Sequence, residues 1–428
     1  MRMIIPTLLL SVSLTACAST SQQSAILASD AVPAPTAVMT AATAATSELS
    51  QQQRFEAWKA DFTRRALAKG YAPNLLAATI GRAQINERAL ERDADQPEFT
   101  RPVWSYIQTA ASPDRVSRGK AELAEHNAQF NRLEATYGVP RHVLAAIWGL
   151  ESSYGRILGT HNIIDSLATF AFEGRRTTFG ETQLFATLDL IQSGSVRADQ
   201  LVGSWAGAMG MTQFIPSTFR DYAVDFDGNG NTDLWTSELD ALASAANYLT
   251  RSGWKPGVPV MSEVVVPANF DYSKSETVKQ SVAAWTALGV KPSNGMRFSD
   301  AASQMEAKLL VPAGHRGPKL LTFHNFDVIK RYNNSTSYVM GITTLASALN
   351  DYTVIRTPWP EGDEPLSFID KQRMQETLTA MGYDTQGVDG LIGPATRRAI
   401  RAWQSANGLP ADGYVERSQY LRMITPQR

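Results

Sequence analysis

The apolar positions along this chain recur mostly at helical spacing. In "FEAWKADFTRRALAKG", Phe55, Trp58, Phe62 and Ala66 fall three or four residues apart, and Gly70 closes the run. Pro73 suits the start of a following helix. The stretch "GKAELAEHNAQFNRLEATYG" predicts one long helix ending at Gly138, and Pro140 suits the first turn of the next. Across residues 256–325 the pattern changes. "VPVMSEVVVP", "EAKLLVP" and "KLLTFHN" are short, β-branched or apolar, and bounded by Pro and Gly, which predicts a small sheet. A helix near "SETVKQSVAAWTALG" falls between the first two strands. Helical spacing resumes in "NFDVIKRYNNSTSYVMGITTLASALNDY", which can pack back onto the first helical body. "TPWPEGDEP" (357–365) reads as a linker. Beyond it, Met374, Leu378 and Met381 predict one short helix, Ile400 and Trp403 a second opened by Pro394, and Tyr420, Leu421 and Ile424 a third. The expected fold class is mainly α with a small β-containing insertion and a C-terminal three-helix unit. A length of 428 residues leaves room for two or three domains.

Composition adds little for the folded part and more for the N-terminus. With 43% hydrophobic residues, 19% charged residues and a net charge of −1, the chain reads as globular, and nothing in its charge favours nucleic acid. "MRMIIPTLLLSVSLTAC" carries one Arg, an apolar run too short to span a bilayer, and small residues before Cys17. Leu14-Thr15-Ala16-Cys17 resembles the bacterial lipobox, in which the cysteine is diacylated and becomes the first residue of the mature protein. That resemblance makes 1–16 a lipoprotein signal and Cys17 the lipidation site. With Ala18 rather than Asp after the cysteine, it implies a lipid anchor at the periplasmic face of the outer membrane. Residues 17–50 are rich in Ala, Ser, Thr and Pro and read as a flexible tether.

Within "PRHVLAAIWGLESS", Leu144, Ile147 and Glu151 share one helix face, so the glutamate continues an apolar stripe. A carboxyl placed there loses solvation, and its pKa is expected to rise, as a general acid near neutral pH requires. The same position also suits a glutamate at the rim of the core, paired with an arginine. Two further segments combine turn chemistry with polar side chains: "GAMGMTQFIPSTF" (207–219), which holds Gln213 and Pro216, and "RYNNSTSY" (331–338), which holds Tyr332, Asn333 and Tyr338.

With "LESSYG", "GAMGMTQFIPS" and "YNNSTSY" in this order, residues 52–352 resemble the membrane-bound lytic murein transglycosylase B family. The resemblance implies a catalytic region over 51–356, with a lysozyme-like core at about 139–255 and 326–352 and the β-containing insertion at about 256–325. The family's catalytic glutamate falls on Glu151, its groove glutamine on Gln213, its active-site Asn and Tyr on Asn333 and Tyr338, and its groove arginines on Arg175 and Arg176. Tyr332 joins the substrate-binding candidates, while Ser152 and Tyr154 suit packing. The implied reaction is non-hydrolytic cleavage of the β-1,4 bond between N-acetylmuramic acid and N-acetylglucosamine. One glutamate serves as acid and then base and leaves a 1,6-anhydro end, which explains a single carboxylate where glycosidases use two. After a linker at 357–366, residues 367–428 resemble the bacterial peptidoglycan-binding domain through Gly382, Asp389-Gly390, Gly393, Thr396, Trp403-Gln404, Gly408-Leu409 and Asp412-Gly413. The partner so implied is the glycan strand of peptidoglycan.

"DFDGNGNTDLW" (225–235) opens like a Ca²⁺ loop, with Asp225, Asp227 and Asn229 as side-chain ligands, Gly230 at the turn and Asn231 giving its carbonyl. Thr236 stands where such a loop carries its bidentate Glu, and by resemblance the family's longer loop places the final acid on Asp240. The competing reading makes Ser237 a helix N-cap and Asp240 the acidic third residue of that helix. The expectation is a structural Ca²⁺ and no organic cofactor. Two rival functions remain: a hydrolytic muramidase, for which Glu173 or Glu181 would supply the second carboxylate, and a non-catalytic wall-binding scaffold. Five histidines without H-E-x-x-H spacing, and one cysteine already claimed by the lipobox, argue against zinc amidase or Cys/His peptidase chemistry.

Overall fold

The computed structural model describes residues 49–93, 102–360 and 362–425. Cys17, the leader and most of the tether lie outside them. Ser50 starts α1 (Gln51–Ala68) with a capping box, exchanging hydrogen bonds with Gln53, and the helix buries Phe55, Phe62 and Ala66. Then come α2 (Pro73–Ala78), α3 (Glu87–Asp93), α4 (Val103–Ala110), α5 (Pro113–Glu125), α6 (Asn127–Tyr137) and α7 (Arg141–Ser152). The one long helix expected up to Gly138 is therefore two. His126 (φ −96°, ψ 24°) closes α5 and opens α6, and its ring stands edge-on to Trp148 with centroids 5.7 Å apart. The break lets the two halves reach different partners.

The helical body continues with α8 (Ile163–Phe172), α9 (Thr177–Gln192), α10 (Pro216–Tyr222) and α11 (Glu238–Arg251). The two-residue strands β1 (His161–Asn162) and β2 (Val202–Gly203) pair antiparallel beside α8. A five-stranded antiparallel sheet follows, in the order β4-β6-β7-β3-β5: β3 (Met261–Val265), β4 (Lys279–Ser281), β5 (Lys291–Pro292), β6 (Glu306–Leu310) and β7 (Lys319–Thr322). The helix expected around Ser275–Gly289 is only α12 (Val282–Ala287). Ser281 caps it by accepting from Ala284 N–H, so the residues before Ser281 pair as an edge strand instead. A four-residue helix, α13 (Asp300–Ser303), precedes β6. The chain then returns through α14 (His324–Tyr332) and α15 (Thr336–Leu349), and α15 packs against both α4 and α7.

The C-terminal unit holds α16 (Phe368–Ala380), α17 (Pro394–Ala406) and α18 (Arg417–Ile424) around Met374, Leu378, Ile400, Trp403, Tyr420 and Met423. Met381 and Leu421, expected inside, are 48% and 47% exposed. Met381 falls just past the end of α16, and α18 turns Met423 inward instead. Two buried glutamines hold matching turns. Gln375 accepts from Gly390 N–H and donates to Asp389, and Gln404 does the same with Gly413 and Asp412 (2.8–3.0 Å). Asp412 is 2% exposed and also accepts from the backbone and ring of His315 at 2.7 and 2.8 Å, tying the unit to the segment before β7.

α8 and α9 pack closely, and a Cβ added at Gly180 would meet the α8 backbone, 2.8 Å from the Leu167 carbonyl oxygen. Backbone cannot give way as a flexible side chain can. Gly180→Ala is therefore expected to destabilise the fold by about 1–3 kcal/mol, seen as a melting midpoint lowered by several degrees.

Candidate functional site

α7 runs from Pro140 into a fully buried face, with Leu144 and Ile147 at 0% exposure. Glu151, next on that stripe, is half-buried in the last turn. The helix does not end on glycine. Ser153 (φ 51°), Tyr154 (φ 61°) and Gly155 (φ 78°) lie in succession in the left-handed region, which is unfavourable for the two non-glycine residues. Tertiary contacts impose this turn. The buried Ser152 hydroxyl donates to Met211 O at 2.7 Å and accepts from Gly155 N–H at 2.9 Å. Tyr154 packs on the bare face of Gly149 and donates to Arg115 O at 2.9 Å. Arg115 in turn donates to Gly149 O and Ala110 O. Ser152 and Tyr154 thus do pack, but through polar bonds that apolar spacing does not reveal. Arg115 had no motif to mark it.

The turn between α14 and α15 faces the end of α7. Ser335 caps α15 by accepting from Tyr338 N–H, and Asn333 closes α14. Tyr338 is 2% exposed, and its hydroxyl donates to Glu151 Oε1 at 2.6 Å. The Tyr332 ring lies parallel to it, 6.4 Å away at 7°, and the Tyr332 hydroxyl donates to Thr212 O at 2.5 Å. Burial, then the Glu151 carboxylate, pushes both phenols well above the usual tyrosine range, so each stays protonated and able to donate.

Thr212 belongs to the glycine-rich segment. Met209 and Phe214 exchange backbone hydrogen bonds there, and Gln213 sits at φ 50° on the turn between them. Its amide nitrogen donates to Gly210 O at 2.8 Å and Leu158 O at 3.3 Å, joining its own turn to the loop that follows α7. Glu151, Gln213, Tyr332 and Tyr338 are therefore linked through one bonded framework. Arg175 and Arg176 lie in the turn before α9, where the Arg176 guanidinium rests over the rings of Phe170 and Phe179. Glu173 and Glu181, the carboxylates considered for a hydrolase, pair with α1: Glu173 with Gln51 and Arg54, Glu181 with Arg65.

The acidic loop closes on the start of α11. Asp225 accepts from Gly228, Asn229 and Gly230 N–H, and these bonds, the Gly230 bond foremost, hold its carboxyl below the usual range. Asn229 accepts from Asn231 N–H. Asp240 is fully buried and accepts from Phe226, Asp227 and Asp233 N–H, and burial holds its carboxyl above the usual range. Ser237 does cap α11 by accepting from Asp240 N–H. The two readings of Asp240 are compatible, because its backbone completes the cap while its side chain turns into the loop. Carboxylate oxygens of Asp225, Asp227 and Asp240 lie within 4.8 Å of one another. Three negative oxygens so close, one wholly buried, suit a hard cation with oxygen ligands.

A family model described as a transglycosylase SLT domain matches residues 54–347, and one for a putative peptidoglycan binding domain matches 370–423. This chain belongs to the SLT transglycosylase family. It is a lytic transglycosylase that acts on peptidoglycan, and it carries a C-terminal peptidoglycan-binding domain. The transglycosylase is 34% identical over 269 residues to the membrane-bound lytic murein transglycosylase B of Escherichia coli K12, spanning 62% of this chain and 72% of that protein. SltB3 from Pseudomonas aeruginosa, solved with NAG-anhNAM-pentapeptide, is 46% identical with a TM-score of 0.83, covering 87% of this chain and 99% of that one. Escherichia coli Slt35, solved in complex with calcium, is 29% identical with a TM-score of 0.60, covering 68% and 92%.

Removing the Ser152 hydroxyl leaves the Gly155 N–H without its acceptor and frees the strained turn. Ser152→Ala is expected to cost about 1–3 kcal/mol in urea unfolding, measured as a lowered midpoint.

Proposed function

We propose that Glu151 alone carries the reaction, as acid and then as base. The observation behind this reading is the Tyr338 hydroxyl at 2.6 Å from a half-buried Glu151 at the end of an apolar stripe. Protonated Glu151 donates to the bridging oxygen between N-acetylmuramic acid and N-acetylglucosamine. The substrate's N-acetyl group stabilises the cation that develops at C1. Ionised Glu151 then takes the proton of the muramic acid C6 hydroxyl, which attacks C1 and closes the 1,6-anhydro ring. One proton leaves Glu151 and one returns, so neither water nor a second carboxylate is consumed. A tyrosine hydroxyl can donate to a carboxylate and accept from a carboxylic acid, so the Tyr338 contact serves both states. Ring closure is intramolecular and gains from proximity once O6 is held over C1. Gln213, Asn333, Tyr332, Arg175 and Arg176 are assigned to the glycan groove.

The acidic loop is assigned to a structural Ca²⁺ held by Asp225, Asp227, Asn229, Asn231 and Asp240, whose charge would offset the three clustered carboxylates. The oxygen-only donor set supports this, and a relative has been solved with calcium. For localisation, the lipobox cysteine supports a lipid anchor at Cys17 on the periplasmic face of the outer membrane. Among the described residues no helix is long and apolar enough to cross a membrane. The E. coli relative is named as membrane-bound.

Glu151→Gln is expected to reduce release of anhydro-muropeptides from sacculi by about 10²–10⁴-fold while leaving the melting temperature and sacculus binding intact. Near-wild-type release from that variant would assign the acid elsewhere. Calcium at about one hundred times its Kd should stabilise the fold by about 2.7 kcal/mol. Chelation should therefore lower the melting temperature, and Asp240→Asn should weaken or abolish the response.

A further inference from the structure

Arg115 lies half-buried in the first turn of α5, at the place where two other helices end. α4 stops at Ala110 and α7 at Ser152, and the carbonyls at a helix C-terminus lack donors within the helix. The guanidinium supplies donors at both ends. It donates to Thr109 O and to Ala110 O (2.9 Å) at the end of α4, and to Gly149 O (3.1 Å) in the last turn of α7. Every hydrogen bond the guanidinium makes to a described residue goes to a backbone carbonyl. The backbone carbonyl of Arg115 in turn accepts from the Tyr154 hydroxyl at 2.9 Å. A cation between the negative ends of two helix dipoles also sits where its charge is favoured.

Each of the two helices leads to one side of the contact between Glu151 and Tyr338. Gly149 stands two residues before Glu151 on α7. On α4, Tyr106 and Ala110 lie against the bare face of Gly341, each 3.0 Å from where a Cβ would stand, and Gly341 follows Tyr338 by three residues on α15. α5 itself touches both sides. At Gly119, one turn beyond Arg115, an added Cβ would meet the Tyr154 hydroxyl and Leu349 of α15. We propose that Arg115 is a positioning residue for the reaction: by holding the ends of α4 and α7 together, it sets the distance and angle at which the Tyr338 hydroxyl meets the Glu151 carboxyl. The inference rests on the reading of Glu151 as acid and base. A lysine at this position retains the charge, but it presents one ammonium in place of a planar fork and serves fewer of the three carbonyls at once. A methionine occupies similar space and serves none. A small shift of the acid is sufficient, because a displacement of about 1 Å can cost about a hundredfold in rate.

The test is a double-mutant cycle on the full chain, with kcat and KM measured on soluble peptidoglycan strands. Arg115→Met is expected to lower kcat about tenfold or more while KM changes by about twofold at most, and Arg115→Lys to recover part of the loss. Where the methionine variant does not fold, the lysine variant carries the same cycle. In a Tyr338→Phe chain, which lacks the hydroxyl through which Arg115 acts, the same substitution should cost about twofold or less. An equal loss with and without that hydroxyl, or a loss confined to KM or to the melting temperature, overturns the proposal. A second readout is independent of the chemistry: the ring-carbon resonance of Tyr338 in a chain labelled with carbon-13 tyrosine, assigned through Tyr338→Phe. Arg115→Met should move this resonance towards its position in Glu151→Ala, where the contact is absent, and Arg115→Lys should move it less. If it moves while Glu151→Gln remains active, the placement of Tyr338 by Arg115 stands and the acid lies elsewhere. If it stays in place, the proposal falls.

Discussion

The hydrogen bond from Tyr338 to Glu151 joins residues 187 positions apart, and the rest of the site depends on it. It forms only when the end of α7 and the turn before α15 are both seated. The Ser152 bridge, the Tyr154–Arg115 bond and the packing of α15 on α7 seat the first, and the Ser335 cap seats the second. Tyr332 then binds Thr212, and Gln213 binds Leu158 O, so the glycine-rich loop is fixed to both. A bond to a charged group is worth about 1.5–3 kcal/mol, less than the helix packing that surrounds it. Its value lies in geometry, since it sets the direction of the Glu151 carboxyl.

The helical class, the sheet insertion and the three-helix end were legible because apolar spacing reports directly on which face is buried. Boundaries were less legible where a polar side chain decided them. His126 splits an otherwise continuous helical pattern, and Ser281 delays α12 so that its leading residues form an edge strand. Neither signal changes hydrophobic period. In the site, Glu151 stood out by continuing the Leu144–Ile147 stripe, and the turns around Gln213 and Tyr338 stood out by their composition. What held them together did not. Arg115 acts through backbone carbonyls, and Ser152 through a buried hydroxyl with partners 59 residues and three residues away. Such contacts leave no trace in spacing, because they depend on where the backbone goes after the helix ends.

The acidic loop shows the same limit from another side. Asp225, Asp227 and Asn229 stood out by position, but Asp240 carried two incompatible-looking roles. The structure reconciles them, since the amide of Asp240 belongs to the helix cap and its carboxylate to the loop. At the far end, paired Gln–Asp-Gly clamps give the peptidoglycan-binding domain rigid turns, and one of those aspartates, Asp412, also docks it through His315. That docking ties the domain to the segment before β7.

The central claim is that a single carboxylate suffices because the substrate supplies its own nucleophile. The most direct measurement is digestion of purified sacculi in oxygen-18 water, with mass spectrometry of the released ends. The account predicts 1,6-anhydromuramic acid carrying no label. Labelled reducing muramic acid would show that water attacks C1 and would contradict it.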